Sequence, residues 1–270
     1  MQRHSSRFIA ACLFVVLGLQ APAAWAQQDE DAFRLDPLIV TATRSAERLS
    51  QTTRTVTVIS AEDLAEQGTS TVVDALRSVP GINVRRTGAL GGTTSIFTRG
   101  ANSDHTLVLI DGVKMNLAGG GVELGHLSTD NIERIEVVRG PASTLYGSTA
   151  VGGVIHIITK RGSGPLGASL SAGGGSFNTF TQRATLNAGT AWGALSFSAS
   201  QLDTDGHMAF NNQYDNTSLS LRADLSPDEH TNVDLTLRYT DSEFHFPTDG
   251  TGALTRRNQY STRTETVLGL

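Results

Sequence analysis

The sequence predicts two structures in tandem: a compact α/β domain over residues 51–164, then antiparallel transmembrane β-barrel strands over 165–270. Three observations predict this. Continuous apolar strands alternate with short capped helices in the first part. Strict two-residue alternation of apolar and small polar residues fills the second. The connections between the later strands are short at one end and long at the other.

The chain opens with an export signal rather than with fold. Arg3 and Arg7 precede an apolar run from Phe8 to Leu19, and Ala24-Trp25-Ala26 has the small-x-small form of a cleavage site, so residues 1–26 read as a signal peptide. The run is too short to cross a bilayer as a helix, which takes about 20 residues. Cys12 loosely fits a lipidation box, but most of the apolar run follows it, whereas a lipobox cysteine ends the run. It is the single cysteine of the chain, which excludes a disulfide framework and a Cys-based zinc site.

Composition narrows the class further. Of 270 residues, 39% are hydrophobic and 17% charged, 28 are glycine, and the formal net charge is −5. Such a chain is too glycine-rich for a helical bundle. It has no basic stripe to neutralise phosphates, so nucleic acid is not an expected partner.

Residues 27–50 form a polar segment carrying Asp29-Glu30-Asp31, expected to be mobile, with Leu38-Ile39-Val40 as a strand-forming stretch. Thr55 to Ile59 then reads as a strand. Ser60 caps the following helix with Asp63 in the box position, and Gly68 ends it. Thr71 and Asp74 repeat the device before Val72, Val73, Leu76 and Val79, which Pro80-Gly81 stop. Leu107 to Ile110, Ile135 to Val138 and Val154 to Ile158 are continuous apolar strands of a buried sheet.

From about Gly167 the apolar residues fall on alternate positions: Phe180, Ala184, Leu186; Leu195, Phe197, Ala199; Leu219, Leu221, Leu225; Val233, Leu235, Leu237, Tyr239. A weaker run covers Tyr260 to Leu270. About ten residues per strand matches a membrane-spanning barrel, whereas soluble sandwich strands, which also alternate, are nearer five or six. Ala191-Trp192-Gly193 and Pro227 to His230 are tight turns; Asp203 to Asn216 and Phe246 to Gln259 are long loops.

A set of ordered motifs carries a family resemblance. Asp36-Pro37-Leu38-Ile39-Val40-Thr41-Ala42-Thr43, Leu76 to Gly81, Phe97-Thr98-Arg99-Gly100, Val108 to Gly112, Ile132 to Pro141 and Tyr146 to Gly153 resemble the TonB box and successive plug motifs of the TonB-dependent outer-membrane receptors. Within that family, Asp111 to Gly119 and Ser95 to Gly100 are most similar to the cobalamin receptors, although siderophore receptors share most of the framework. The resemblance implies an α/β plug ahead of a barrel and location in a Gram-negative outer membrane, in contact with its lipid. It also implies energised uptake of cobalamin or a ferric siderophore, with TonB as periplasmic partner.

It further implies roles for residues. Asp36, Pro37, Leu38, Ile39, Val40, Thr41 and Ala42 would form the TonB box, a strand-prone peptide able to pair with a partner's sheet edge; by composition alone the stretch is equally an ordinary first strand. Two glycine-rich loops would form the outward face of the plug and touch substrate: Thr87, Gly88, Leu90, Gly91, Gly92 and Thr93 in one, Asn116, Leu117, Ala118, Gly119 and Gly120 in the other. As tight connectors they need no ligand. Arg99 and Arg139 would face barrel carboxylates; otherwise they are solvated charges at turns. Asp203, Asp205 and Asp215 could hold calcium through hard oxygens, or lie in a plain solvated loop; an EF-hand fails because Tyr214 stands at the twelfth position.

No catalytic signature of a hydrolase or zinc protease is present, and no phosphate-binding glycine motif, so no enzyme activity is expected. About six strands fit in 165–270, whereas enclosing a plug takes about 22. The sequence therefore reads as part of a longer receptor or, if complete, as a non-transporting plug-type binding module.

Overall fold

The computed structural model describes residues 38–43, 45, 47–228, 230–248 and 253–270. The expected signal peptide, and Asp36 and Pro37 of the box, lie outside the described residues.

The first strand pair, β1 (Leu38–Ile39) and β2 (Glu47–Arg48), is antiparallel. Strand β3 (Thr55–Ser60) leads into helix α1 (Ala61–Glu66) through the expected capping box. The Ser60 hydroxyl accepts from the Asp63 N–H at 3.1 Å, and the Asp63 carboxylate accepts from the Ser60 N–H at 2.8 Å. Helix α2 (Val72–Leu76) is capped likewise, the Thr71 hydroxyl accepting from Asp74. Gly81, in the left-handed region at φ 80°, turns the chain into the hairpin of β4 (Ile82–Arg86) and β5 (Thr94–Thr98). There follow β6 (Thr106–Ile110), β7 (Val113–Lys114), β8 (Ile132–Arg139), α3 (Ser143–Tyr146) and β9 (Gly153–Thr159).

Strands β3-β8-β9-β6-β7 form one sheet in that order, with β6 and β9 parallel. Every residue of β6 is buried, as its unbroken apolar run demands. Alternate residues serve two cores. Val108, Ile110, Ile135, Ile155 and Ile157 pack under α1 and α2. Leu107, Leu109, Val138 and Val154 face the other way and are covered by Ile39, Ala42, Ala142 and Ala150.

The last six strands are β10 (Gly167–Gly175), β11 (Thr179–Gly189), β12 (Gly193–Thr204), β13 (Tyr214–Asp228), β14 (Thr231–Thr248) and β15 (Leu254–Gly269). They pair antiparallel in chain order as one open sheet. This sheet is inside out by the standard of a soluble protein. Ser196, Ser198, Ser218, Ser220, Thr236 and Thr240 are buried, while Leu219, Leu225, Val233, Leu237 and Leu268 are exposed on the opposite face. That is the alternation of a barrel wall, apolar to lipid and polar to the lumen.

Two details depart from the expected pattern. Strands β13 to β15 run to 15, 18 and 16 residues rather than about ten. Pairing also continues to Thr204↔Tyr214 and Thr248↔Leu254, so strand structure reaches well into the expected loops 203–216 and 246–259. Backbone ladders need no apolar side chains, so they run on past the apolar band through polar pairs such as Glu243↔Thr262.

Candidate functional site

The polar face of the strands meets the α/β domain through side chains that the periodicity alone left unpaired. Arg222 and Arg238 stand among serines and threonines in mid-strand, and both reach inward. Arg222 Nη1 donates to Asp111 Oδ1 at 2.9 Å and to the Thr159 carbonyl at 3.3 Å. The Arg222 and Asp111 side chains are only 7% and 5% exposed, which makes this a buried pair. Asp111 also accepts from the Thr159 N–H at 2.9 Å and its hydroxyl at 2.7 Å. Arg238 Nη2 donates to the Ser128 carbonyl and hydroxyl, each at 3.1 Å. Asn131 accepts from Ser196 and donates to Ser220, His126 meets Glu265 at 2.9 Å, and Arg183 pairs with Asp130. Sequence reasoning missed these wall contacts. The available signal was an arginine on the polar face of a membrane-length strand, which requires a partner.

The two glycine-rich loops come together. Glu123 accepts from the Thr94 N–H at 3.0 Å through both oxygens and from the Gly125 N–H at 2.9 Å, so it ties the end of the first loop to the second. Thr87, Gly88, Thr93, Leu117, Ala118 and Gly119 are exposed, Gly92 is buried, and Leu90, Gly91 and Gly120 lie between. Gly91 sits at φ 77°, where an added Cβ would come 2.5 Å from Tyr214 Cε2, so the loop leans directly on β13. Asn116 turns inward. Its carbonyl accepts from the Val108 N–H at 2.8 Å, and its amide donates to the Thr106 and Gly120 carbonyls at 2.9 and 2.7 Å. The residue shapes the second loop from within.

Residues 39–42 are docked, which corrects the expectation of a mobile segment there. Ile39 and Ala42 are buried against Leu107, Leu109 and Val154. Glu136 Oε2 accepts from the Val40 N–H at 3.0 Å, the Thr41 N–H at 2.9 Å and the Thr41 hydroxyl at 2.6 Å. Tyr146 donates to the Thr41 carbonyl at 3.0 Å. The physical reason is that one face of the five-stranded sheet is apolar and needs a cover. Burial pushes the Glu136 carboxyl upward, but the bonds from Thr41, Val40 and Arg134 outweigh it and hold the group below the ordinary carboxylate range.

Arg99 and Arg139 sit side by side at the end of the β3–β8 ribbon. Arg139 donates to the Pro80 carbonyl at 2.5 Å and to the Thr57 hydroxyl at 2.8 Å; Arg99 reaches the Thr55 hydroxyl at 3.4 Å. Asp203 and Asp215 are direct cross-strand partners, but Asp205 turns away and accepts from Asn178 at 2.6 Å. Among the described residues no three His, Cys, Asp or Glu side chains are arranged to hold a metal ion.

Comparison with known proteins bears on the fold and the family. The family model of the TonB-dependent Receptor Plug Domain matches residues 48–154. The vitamin B12 transporter BtuB of Vibrio vulnificus is 40% identical over 159 residues, which is 57% of this chain and 26% of that protein. Among solved structures, the ferripyoverdine receptor of the outer membrane of Pseudomonas aeruginosa matches 86% of this chain and 34% of its own at a TM-score of 0.64 and 18% identity. The ferric yersiniabactin uptake receptor FyuA of Yersinia pestis matches 72% of this chain and 32% of its own, at 0.62 and 20%. At these identities the structures establish the fold alone. The chain spans about a quarter of the length of the B12 transporter it matches.

Proposed function

We propose that this chain, a member of the TonB-dependent receptors by its plug domain, serves energised uptake of cobalamin across the outer membrane of a Gram-negative bacterium. The observation that carries the ligand is the 40% identity to a vitamin B12 transporter over 159 residues. The inside-out sheet supports placement in the membrane, since only a lipid surround makes exposed Leu219, Leu225 and Leu237 favourable. Export would follow from cleavage after Ala26.

In this reading the ligand rests on the exposed tips of the two tied loops, Thr87 to Thr93 and Leu117 to Gly119, and on the outer ends of the strands. Residues 36–42 form the TonB box. They leave their dock, pair with the sheet edge of the periplasmic domain of TonB, and pass its pull to the plug. The chain itself makes and breaks no covalent bond. Calcium, if bound by loop carboxylates, would take oxygens from Asp203, Asp205 and Asp215, with Asp205 Oδ2 already accepting from Asn178.

The test is equilibrium binding of labelled cyanocobalamin to outer membranes carrying the native protein, with and without calcium, followed by uptake in cells with and without TonB. Saturable binding and TonB-dependent uptake are expected. Absence of binding in both conditions overturns cobalamin and transfers the assignment to a ferric siderophore. Uptake that survives loss of TonB overturns the energised mechanism.

A further inference from the structure

We infer that Glu136 is the latch that keeps the box docked, and that His156 ties this latch to the Asp111–Gly112 turn held by the barrel wall. The inference rests on the reading of residues 36–42 as the TonB box, and it names the positioning residues that govern its release.

Glu136 is a fully buried carboxylate in the middle of β8. Its Oε1 accepts from Arg134 Nε at 2.9 Å. Among the described residues its Oε2 accepts from the box alone, through the three bonds from Val40 and Thr41. Removing the box strips every one of these donors from a carboxylate oxygen in a buried place, so the undocked state carries a penalty centred on this atom. Leu109 and Val154 line the same face and hold Ile39 and Ala42 without direction. Glu136 supplies the direction.

His156 lies directly across from Glu136 in the β8–β9 ladder. Its Nε2 faces the Gly112 N–H at 3.0 Å, and because an N–H can only donate, Nε2 is the acceptor. In the neutral ring the proton is then on Nδ1, which faces the Thr41 hydroxyl oxygen at 3.1 Å. That hydroxyl passes its own proton toward Glu136. The donors therefore run in one sense: Gly112 to His156, His156 to Thr41, Thr41 to Glu136. Gly112 follows Asp111, whose carboxylate is gripped by Arg222 of β13 and by Thr159. A shift of the wall at Arg222 moves the turn, withdraws the Gly112 N–H and leaves Nε2 without its donor. The polarised chain that orients the Thr41 hydroxyl is then broken at its origin. Docked and undocked box are the two states that both ends of the chain bias.

The test uses the full receptor in detergent without ligand, and the purified periplasmic domain of TonB as probe. Glu136→Gln replaces charge-assisted bonds with neutral ones and is expected to raise affinity for the TonB domain about tenfold. His156→Phe, which can neither accept from Gly112 nor donate to Thr41, is expected to raise it severalfold, and His156→Gln, whose amide can do both, to bring it back toward the native value. A Val40→Cys reporter, read by its rate of maleimide labelling, should speed up in the same order. Unchanged affinity and labelling in Glu136→Gln overturn the latch. A rise in Glu136→Gln with none in His156→Phe overturns the tie to the turn. Leu38→Pro separates the two readings: retained TonB binding in that variant sinks the box assignment itself, whereas lost binding combined with no effect of Glu136→Gln sinks only the latch.

Discussion

The Arg222–Asp111 contact allows the attachment of plug to wall to be worked out in numbers. Arg222→Met keeps most of the side chain's length but leaves the Asp111 carboxylate with only neutral donors, the Thr159 N–H and hydroxyl and the Thr236 hydroxyl at 3.4 Å. Removing one partner of a buried pair costs about 3–5 kcal/mol, against at most about 1 kcal/mol for an exposed one. The reverse change, Asp111→Asn, is milder, because Arg222 retains Asp224 at 3.2 Å and the Thr159 carbonyl. An uncharged acceptor in its place costs about 1–3 kcal/mol. The double variant should lose less than the two added together, with a coupling of about 2 kcal/mol. The assay is hydrogen exchange of the Thr159 amide and its β9 neighbours in the full receptor, since that amide bonds Asp111 directly. A loss of 3 kcal/mol in opening free energy speeds exchange by roughly 100-fold. Acceleration below about fivefold in Arg222→Met, a larger effect from Asp111→Asn, or simple additivity would each refute the buried-pair argument.

Three other outcomes follow from the same geometry. Gly91→Val forces a β-branched residue into the left-handed region and its Cβ into Tyr214, so it should displace the outward loop at a cost of about 1–3 kcal/mol; cyanocobalamin binding to outer membranes should weaken while the protein level stays unchanged. Leu219→Arg puts a charge on the lipid face and should cost about 2–4 kcal/mol in folding into bilayers, whereas Leu219→Phe should be tolerated; equal yields of folded protein would contradict an outward Leu219. Burial, the largest influence, holds His156 below its ordinary value of 6.5 against the pull of Glu136 and Asp111, with Arg134 and Arg222 pushing the same way. The unfolded chain therefore takes up a proton that the folded plug resists. The stabilisation is complete above pH 6.5 and is lost as pH falls toward the depressed value; amide exchange in β9 measured from pH 7.5 downward, corrected for intrinsic rate, should show it, and His156→Gln should not.

Much of this architecture was legible because it is written in local pattern. The Ser60 and Thr71 caps and the alternation from Phe180 to Tyr239 each depend on residues a few positions apart, and each appears where expected, whereas the helix expected to run to Val79 ends at Leu76. The alternation even disclosed which face is polar. It could not disclose what the polar face touches, because Arg222 finds Asp111 across 111 positions and Asn216 finds the His126 carbonyl across 90. The docking of residues 39–42 was hidden for the same reason. Glu136 and Thr41 are 95 positions apart, and the polar run ahead of the box argued for exposure. Strand ends were misjudged because apolar periodicity marks where lipid lies, while hydrogen-bond pairing decides where a strand stops. The family resemblance places Asn116 in a substrate-facing loop, but only its partners across 8 and 10 positions show that its side chain holds the backbone there.

The two kinds of contact around the plug suggest where an applied pull acts first. Against the described wall the plug touches serine, threonine, asparagine and charged groups, and each neutral bond of this kind contributes only about 0.5–1.5 kcal/mol net. Arg222–Asp111 is a buried ion pair among them, and Arg238, also buried, is seated on the Ser128 carbonyl and hydroxyl. Residues 39–42, by contrast, are held by the burial of Ile39 and Ala42 and by three bonds to Glu136 Oε2. Removing them takes Ile39 and Ala42 off the apolar face of Leu107, Leu109, Val138 and Val154, a loss of burial that no water contact offsets. A force entering at residue 38 therefore meets the plug's own second core before it meets the wall. The sheet face under the box must open first, with the rest of the plug still seated on Arg222. In the proposed mechanism plug movement is graded, beginning with exposure of β6 and β9 from the side of Leu107 and Val154 rather than with departure of the plug as one body.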